Sequence, residues 1–204
     1  VNIMPLMKAL ALPVKMQTQL TGLSFAGLVV EDPHLTSVAL ASALQAPECR
    51  LRHLELFVDH DAREIANALC LNSSLAYVQW DCADTEPLVE ALKVNVTVTV
   101  LDLLRCSRAA ILGSRLFTDA IAEFTGVRAL RMPLELLHDE ELISLGKSLQ
   151  CNRSLRNITI RKVNSDPLFF EDGAIRSFAT SLGDAAGIEK VEFSSACLKT
   201  SFPL

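Results

Sequence analysis

The sequence predicts an α/β solenoid, a row of parallel strands with a helix returning after each, and three observations predict it. The first is a strand phrase that recurs seven times: an apolar residue, two variable residues, a second apolar residue, one variable residue, a third apolar residue. Its clearest copy is Leu51-Arg52-His53-Leu54-Glu55-Leu56, and the others start at Leu20, Leu75, Val98, Val127, Leu155 and Ile188. Side chains alternate faces along a strand, so the second and third apolar residues share one face. The second observation is a helix-end phrase at a fixed distance before the strand. Ala68-Leu69-Cys70-Leu71-Asn72-Ser73-Ser74 precedes Leu75, Ala91-Leu92-Lys93-Val94-Asn95-Val96-Thr97 precedes Val98, and Ser148-Leu149-Gln150-Cys151-Asn152-Arg153-Ser154 precedes Leu155. The third is composition: 50% of residues are hydrophobic and 21% charged. That balance suits an array whose units bury their faces only against their neighbours.

Together the two phrases resemble the leucine-rich-repeat family, specifically its ribonuclease-inhibitor-like branch, over nearly the whole chain. Start-to-start spacings of 31, 24, 23, 29, 28 and 33 residues lie close to the family's range of roughly 20–29. The resemblance implies a right-handed solenoid with a curved parallel sheet on the concave side and α-helices on the convex side. It brings no active-site residues with it. The Asn of each helix-end phrase is expected to leave the helix in the left-handed conformation, which Asn tolerates. One feature departs from the family. The slot three residues after the third apolar position, usually Asn or Cys, holds Leu28, Asp59, Ala83, Cys106, Glu135, Val163 and Ala196. Only Cys106 fits, so the strand-to-helix turns are expected to be irregular.

In chain order, Ile3 to Leu12 reads as an apolar helix. It lacks the polar outer face of a terminal cap, so the array is expected to continue upstream. With only Lys8 before the repeats, the start also lacks the basic region of a signal peptide. Leu20 to Phe25 is the first strand, and Val38 to Leu44 its return helix, ended by Pro47. Asp61 is expected to cap a helix carrying Ile65, Ala68 and Leu69, and Asp84 one carrying Leu88, Ala91 and Leu92. The fourth unit passes Gly113 to a helix with Phe117, Ala120, Ile121 and Phe124, closed by Gly126. Asp139-Glu140-Glu141 opens the next helix with negative charge at its positive end, and Leu142, Leu145 and Leu149 form its apolar stripe. The sixth unit carries the longest insertion, Arg161 to Glu171, before a helix from Gly173 to Gly183 with Ile175, Phe178 and Leu182 facing in. Val191 to Phe193 is the last strand. Residues 1–204 therefore read as a single array of about seven units, a segment of a longer protein.

Charge and motifs narrow the function classes. A net charge of −5 and a pI near 5.4 disfavour nucleic acid or an anionic membrane as partner, and no apolar run approaches the ~18 residues of a membrane span. The six cysteines, Cys49, Cys70, Cys82, Cys106, Cys151 and Cys197, contain no C-x-x-C pair. They read as small buried hydrophobes in a reducing, cytoplasmic compartment, with a disulfide or metal framework as the alternative. Asn72, Asn95, Asn152 and Asn157 each open an Asn-x-Ser/Thr sequon, the mark of a glycosylated extracellular domain. Three of these, however, are the helix-end phrase itself. Asp59-His60-Asp61 is the only cluster worth weighing as a metal site, and it reads as a solvated turn. No G-x-S-x-G or glycine-rich phosphate loop is present. Catalytic residues, cofactor and metal are all expected to be none.

What remains is the sheet face turned away from the helices. Its middle row is Ser24, Glu55, Gln79, Asp102, Arg131, Thr159 and Glu192. One flank is Gly22, His53, Tyr77, Val100, Ala129, Asn157 and Lys190; the other is Ala26, Phe57, Asp81, Leu104, Pro133, Arg161 and Ser194. A solvated sheet face has no need of Phe57, Tyr77 or Leu104, and apolar exposure of this kind marks binding surfaces unless loops cover it. The candidate partner-binding residues are His53, Glu55, Phe57, Tyr77, Gln79, Asp81, Asp102, Leu104, Arg131, Thr159 and Arg161. Helix residues at the same level, such as Glu64 or Glu90, are expected to matter little. Charge is also segregated: residues 51–100 hold three basic against eight acidic residues, and residues 101–165 ten against seven. The function expected is a non-catalytic protein–protein interaction scaffold. The alternative is a regulatory or sensor repeat domain of a larger receptor or GTPase regulator.

Overall fold

Each strand phrase becomes a parallel strand and each helix-end phrase the close of a helix. The structure is a computed structural model that describes residues 21–24, 33–58, 63–82, 85–106, 114–163 and 170–195. The expected helix at 3–12, the Asp59-His60-Asp61 turn, Phe25, Asp84, and residues 164–169 of the insertion lie outside these. The strands are β1 (Gly22–Ser24), β2 (His53–Val58), β3 (Tyr77–Cys82), β4 (Val100–Asp102), β5 (Ala129–Pro133), β6 (Asn157–Lys162) and β7 (Lys190–Ser195). They form a single seven-stranded sheet, all parallel and in chain order. Between them lie α1 (Pro33–Gln45), α2 (Arg63–Leu71), α3 (Glu86–Val94), α4 (Ser114–Ala120), α5 (Asp139–Cys151) and α6 (Asp172–Asp184).

Register follows the apolar pattern. Leu23, Leu54, Val78, Leu101, Leu130, Ile158 and Val191 are successive cross-strand partners, a single row across the sheet. Leu56 pairs with Trp80, and Met132 with Ile160 and Phe193 in turn. From β2 to β6 both rows are buried against the helix stripes that carry Ile65, Leu69, Leu88, Leu92, Leu145 and Leu149. A one-residue slip would turn the whole apolar set to the other face, so the pattern itself pins the register. On β7, Val191 is half-buried and Phe193 is 48% exposed. There Phe193 and Phe178 pack T-shaped, 6.1 Å between ring centroids.

The helix-to-strand junctions differ from expectation in an instructive way. Asn95 (φ −76°, ψ 125°) and Asn152 (φ −73°, ψ 132°) are extended, not left-handed. Their side chains do the capping instead. The Asn95 Oδ1 accepts from the N–H groups of Thr97 (2.9 Å) and Val98 (2.8 Å). Its Nδ2 donates back to the carbonyls of Leu69 (2.6 Å) and Asn72 (3.0 Å) in the preceding unit. Asn72 and Asn152 repeat the arrangement toward Leu44 (2.7 Å), and toward Ile121 (2.6 Å) and Phe124 (2.9 Å). All three amides are buried. These three sequons are thus a packing device whose amide nitrogens are already committed, while Asn157 is exposed on β6. The Ser or Thr two residues on adds a further bond to a carbonyl of the preceding unit. The same geometry shortens the strands. Leu75, Val98 and Leu155 were expected to open them, yet their N–H groups serve the Asn side chains, and each strand starts two residues later.

Other local expectations are corrected by packing. The residue at the N-cap of α3 is Thr85, buried and without a side-chain cap bond. Phe124 lies beyond α4, past the 3-10 turn Ile121–Glu123, but is still buried, edge-on to Phe117 at 5.9 Å. On α6 the buried line is Ala174, Phe178 and Ser181, whereas Ile175 is 36% exposed and Leu182 half-buried. At the irregular strand-to-helix turns, Cys106 donates its thiol to the Trp80 carbonyl. Glu135 fills the equivalent slot one unit on, within the 3-10 turn Leu134–Leu136, and accepts the N–H of Val163 at 2.7 Å. Gly126 is required by contact: a Cβ there would meet the Asn95 carbonyl oxygen at 2.8 Å.

Candidate interaction face

Residues between the buried rows point to the sheet's other face, and their register brings the predicted rows together. Ser24, Glu55, Gln79, Asp102, Arg131, Thr159 and Glu192 are successive partners, flanked by the row from Gly22 and His53 to Lys190. A polar network crosses five strands of this face. The Ser24 hydroxyl donates to Glu55 at 2.7 Å, and His53 Nε2 meets the other Glu55 oxygen at 2.9 Å. The His53 ring stacks on Tyr77, 4.0 Å between centroids and 3° from parallel. The Tyr77 hydroxyl donates to Asp102 at 3.1 Å and lies 3.4 Å from the Gln79 carbonyl oxygen. Arg131 closes the chain with a 3.3 Å ion pair to the same Asp102 oxygen, while the other Asp102 oxygen accepts the N–H of Leu104 at 3.0 Å.

These contacts set the electrostatics. Hydrogen bonds from His53 and then Ser24 hold the Glu55 carboxyl below its ordinary value. Burial, reinforced by the adjacent Asp102 charge, pushes the Tyr77 phenol up to about 12. At neutral pH, Glu55 is therefore an anion and Tyr77 a neutral donor.

Of the predicted residues, His53, Glu55, Tyr77, Asp102 and Arg131 are joined in the network. Gln79 and Asp102 are only 7% and 5% exposed. They lie beneath the surface, holding Tyr77 and Arg131, where the alternation pattern had placed them in the open. Leu104 stands half-buried in the turn after β4. Phe57 and Asp81 are register partners on β2 and β3, with Asp81 half-buried. Thr159, half-buried, and Arg161, exposed, sit on β6 and take no part in the network. Ser24 is a member that sequence reasoning placed in the row but not in the site. Its signal is its partnership with Glu55, which only the β1–β2 register supplies.

Among the described residues, no group of three His, Cys, Asp or Glu side chains could hold a metal ion. No helix there is long and apolar enough to cross a membrane. Four cysteines are described as free thiols: Cys106 is buried, Cys49 and Cys70 are half-buried, and Cys151 is exposed, against the expectation of uniform burial.

No protein-family model matches the chain, and no curated protein matches it in sequence. Among solved structures the chain is similar to leiomodin-1 actin-binding site 2, at 12% identity and a TM-score of 0.45, over 79% of each chain. At that distance the likeness bears on neither function nor partner.

Proposed function

We propose that this chain is a non-catalytic protein-interaction scaffold, a single array of about seven leucine-rich-repeat-like units of the ribonuclease-inhibitor kind. Its protein partner docks on the open sheet face. The observation that carries the reading is the clamped Tyr77: stacked on His53, hydrogen-bonded to buried Asp102, and flanked by the half-exposed Arg131 guanidinium. An aromatic and an arginine held rigid over buried supports have the make-up of an interface hot spot. Their rotamers are already fixed, so little entropy is lost on docking. Two of its groups, Glu55 and Tyr77, favour binding over proton transfer. Both are pushed away from neutrality, whereas an acid–base catalyst works best with a pKa near the operating pH. Glu55, Thr159 and Arg161 extend the surface on either side, and Gln79 and Asp102 support it from below.

The test is affinity capture with identification of the bound protein, repeated with Tyr77→Ala, Arg131→Gln and Glu64→Ala. A specific partner should be lost with the first two variants at near-unchanged melting temperature and retained with the third, which lies on a helix. Loss with the helix variant alone would place the site elsewhere.

A further inference from the structure

The sequence segregates its positive charge into the second half of the chain, and the fold gathers part of it in one place. An open cleft of about 880 Å³ lies among the loops that join helices to strands at β5, β6 and β7. Arg128, Arg153 and Arg156 line it, with Glu189, Asn157 and Cys151. Arg156 is pinned: its guanidinium donates to the carbonyls of Leu155 (3.1 Å) and Gly187 (3.0 Å) and lies 3.7 Å from Glu189. Gly187 makes room for it, since a Cβ there would meet the guanidinium at 2.8 Å. Arg128 and Arg153 are exposed, and among the described residues neither side chain has an acidic or hydrogen-bonding partner. Three arginines against one glutamate leave the cleft with two positive charges in excess, on a chain whose net charge is −5.

We propose that this cleft binds an Asp/Glu-rich segment of a protein partner through the unpaired guanidiniums of Arg128 and Arg153. Guanidinium forks match carboxylates in bidentate geometry. The Arg128 and Arg156 backbones are adjacent across the sheet, with the Arg156 N–H donating to the Arg128 carbonyl at 2.8 Å. That pairing sets the loop of Arg128 beside the loop of Arg153 and Arg156, so the three guanidiniums line one cleft. The volume sits high in the ~300–1,000 Å³ range of binding clefts, far beyond what a lone phosphate fills. The acidic remainder of the chain repels a long polyanion such as nucleic acid. This site lies at the helix-exit edge of the sheet and does not depend on the Tyr77 face.

Cys151 supplies a local reporter, being an exposed thiol on the cleft wall. The full chain is alkylated with iodoacetamide, and modification at Cys151 is followed by peptide mass spectrometry with increasing blocked hexaglutamate, blocked hexalysine or inorganic phosphate. Hexaglutamate should slow alkylation saturably, hexalysine and phosphate should not, and added salt should reverse the protection. The paired substitution Arg128→Ser/Arg153→Ser should weaken hexaglutamate at least about tenfold with the same melting curve, and Tyr77→Ala should leave it intact. Protection that survives the arginine substitutions, equal protection by phosphate, or no saturable protection would overturn the proposal. The Tyr77→Ala arm separates this result from the fate of the sheet-face reading.

Discussion

Asn95 Nδ2 lies 2.6 Å from the carbonyl oxygen of Leu69, a residue 26 positions earlier and one unit back. With its Oδ1 held by the N–H groups of Thr97 and Val98, this one amide ties the last turn of α2 and the Asn72 carbonyl beyond it to the loop that leads into β4. Asn95→Ala would leave the Thr97 and Val98 N–H groups without partners and strip one bond each from the Leu69 and Asn72 carbonyls; each buried group left unsatisfied costs about 1–3 kcal/mol. Partial solvation reduces the sum, so urea denaturation should show a loss of roughly 2–4 kcal/mol. Asn95→Asp keeps the acceptor but places a carboxylate against two carbonyls, and it should cost no less. A loss below half a kilocalorie for both would mean that the ladder contributes little.

The core rows carry a different signature. Leu103 is fully buried between the Trp80 and Met132 levels of the sheet, and Leu103→Ala should cost roughly 2–5 kcal/mol, as large-to-small core changes do. Phe193 occupies the equivalent place on β7 but is half exposed. Phe193→Ala should cost clearly less in the same denaturation experiment, despite removing the larger side chain.

Tyr77 is the chain's single tyrosine, so the phenolate absorbance band reports it alone. Its titration midpoint should fall near 12, against about 10 for a free phenol. Asp102→Asn should lower the midpoint only in part, because burial is the larger cause. The linkage sign follows: the folded state holds this proton more tightly than the unfolded one. Stability should be level in this respect below about pH 10 and fall as the pH rises toward 12. A midpoint near 10 in the folded protein would show Tyr77 to be free of its clamp.

Thiol reactivity should rank by exposure. In the native chain Cys151 should alkylate first, Cys49 and Cys70 more slowly, and Cys106 last, behind its bond to the Trp80 carbonyl. Burial raises the Cys70 thiol above its ordinary value, which slows it further. Denatured without reductant, all six cysteines should titrate as free thiols. A shortfall of two would reveal a disulfide and overturn this expectation.

The order of the elements, the parallel register and the row to which each strand residue belongs were all legible in the sequence. Two-residue alternation is a local property, and Leu54, Val78, Leu101, Leu130 and Ile158 can share one face only if the strands align as they do. Depth was not legible. Gln79 and Asp102 alternate like surface residues yet are buried, because Tyr77 and Arg131, 25 and 29 residues from Asp102, lean over them. The Asn of the helix-end phrase was visible as a recurrent position. Its extended backbone was not, since the carbonyls its side chain serves belong to the preceding unit. The same holds for the arginine cleft: Arg128, Arg153 and Arg156 are only a charge count in the chain. They become a site because parallel stacking sets the helix-to-strand loops of successive units side by side.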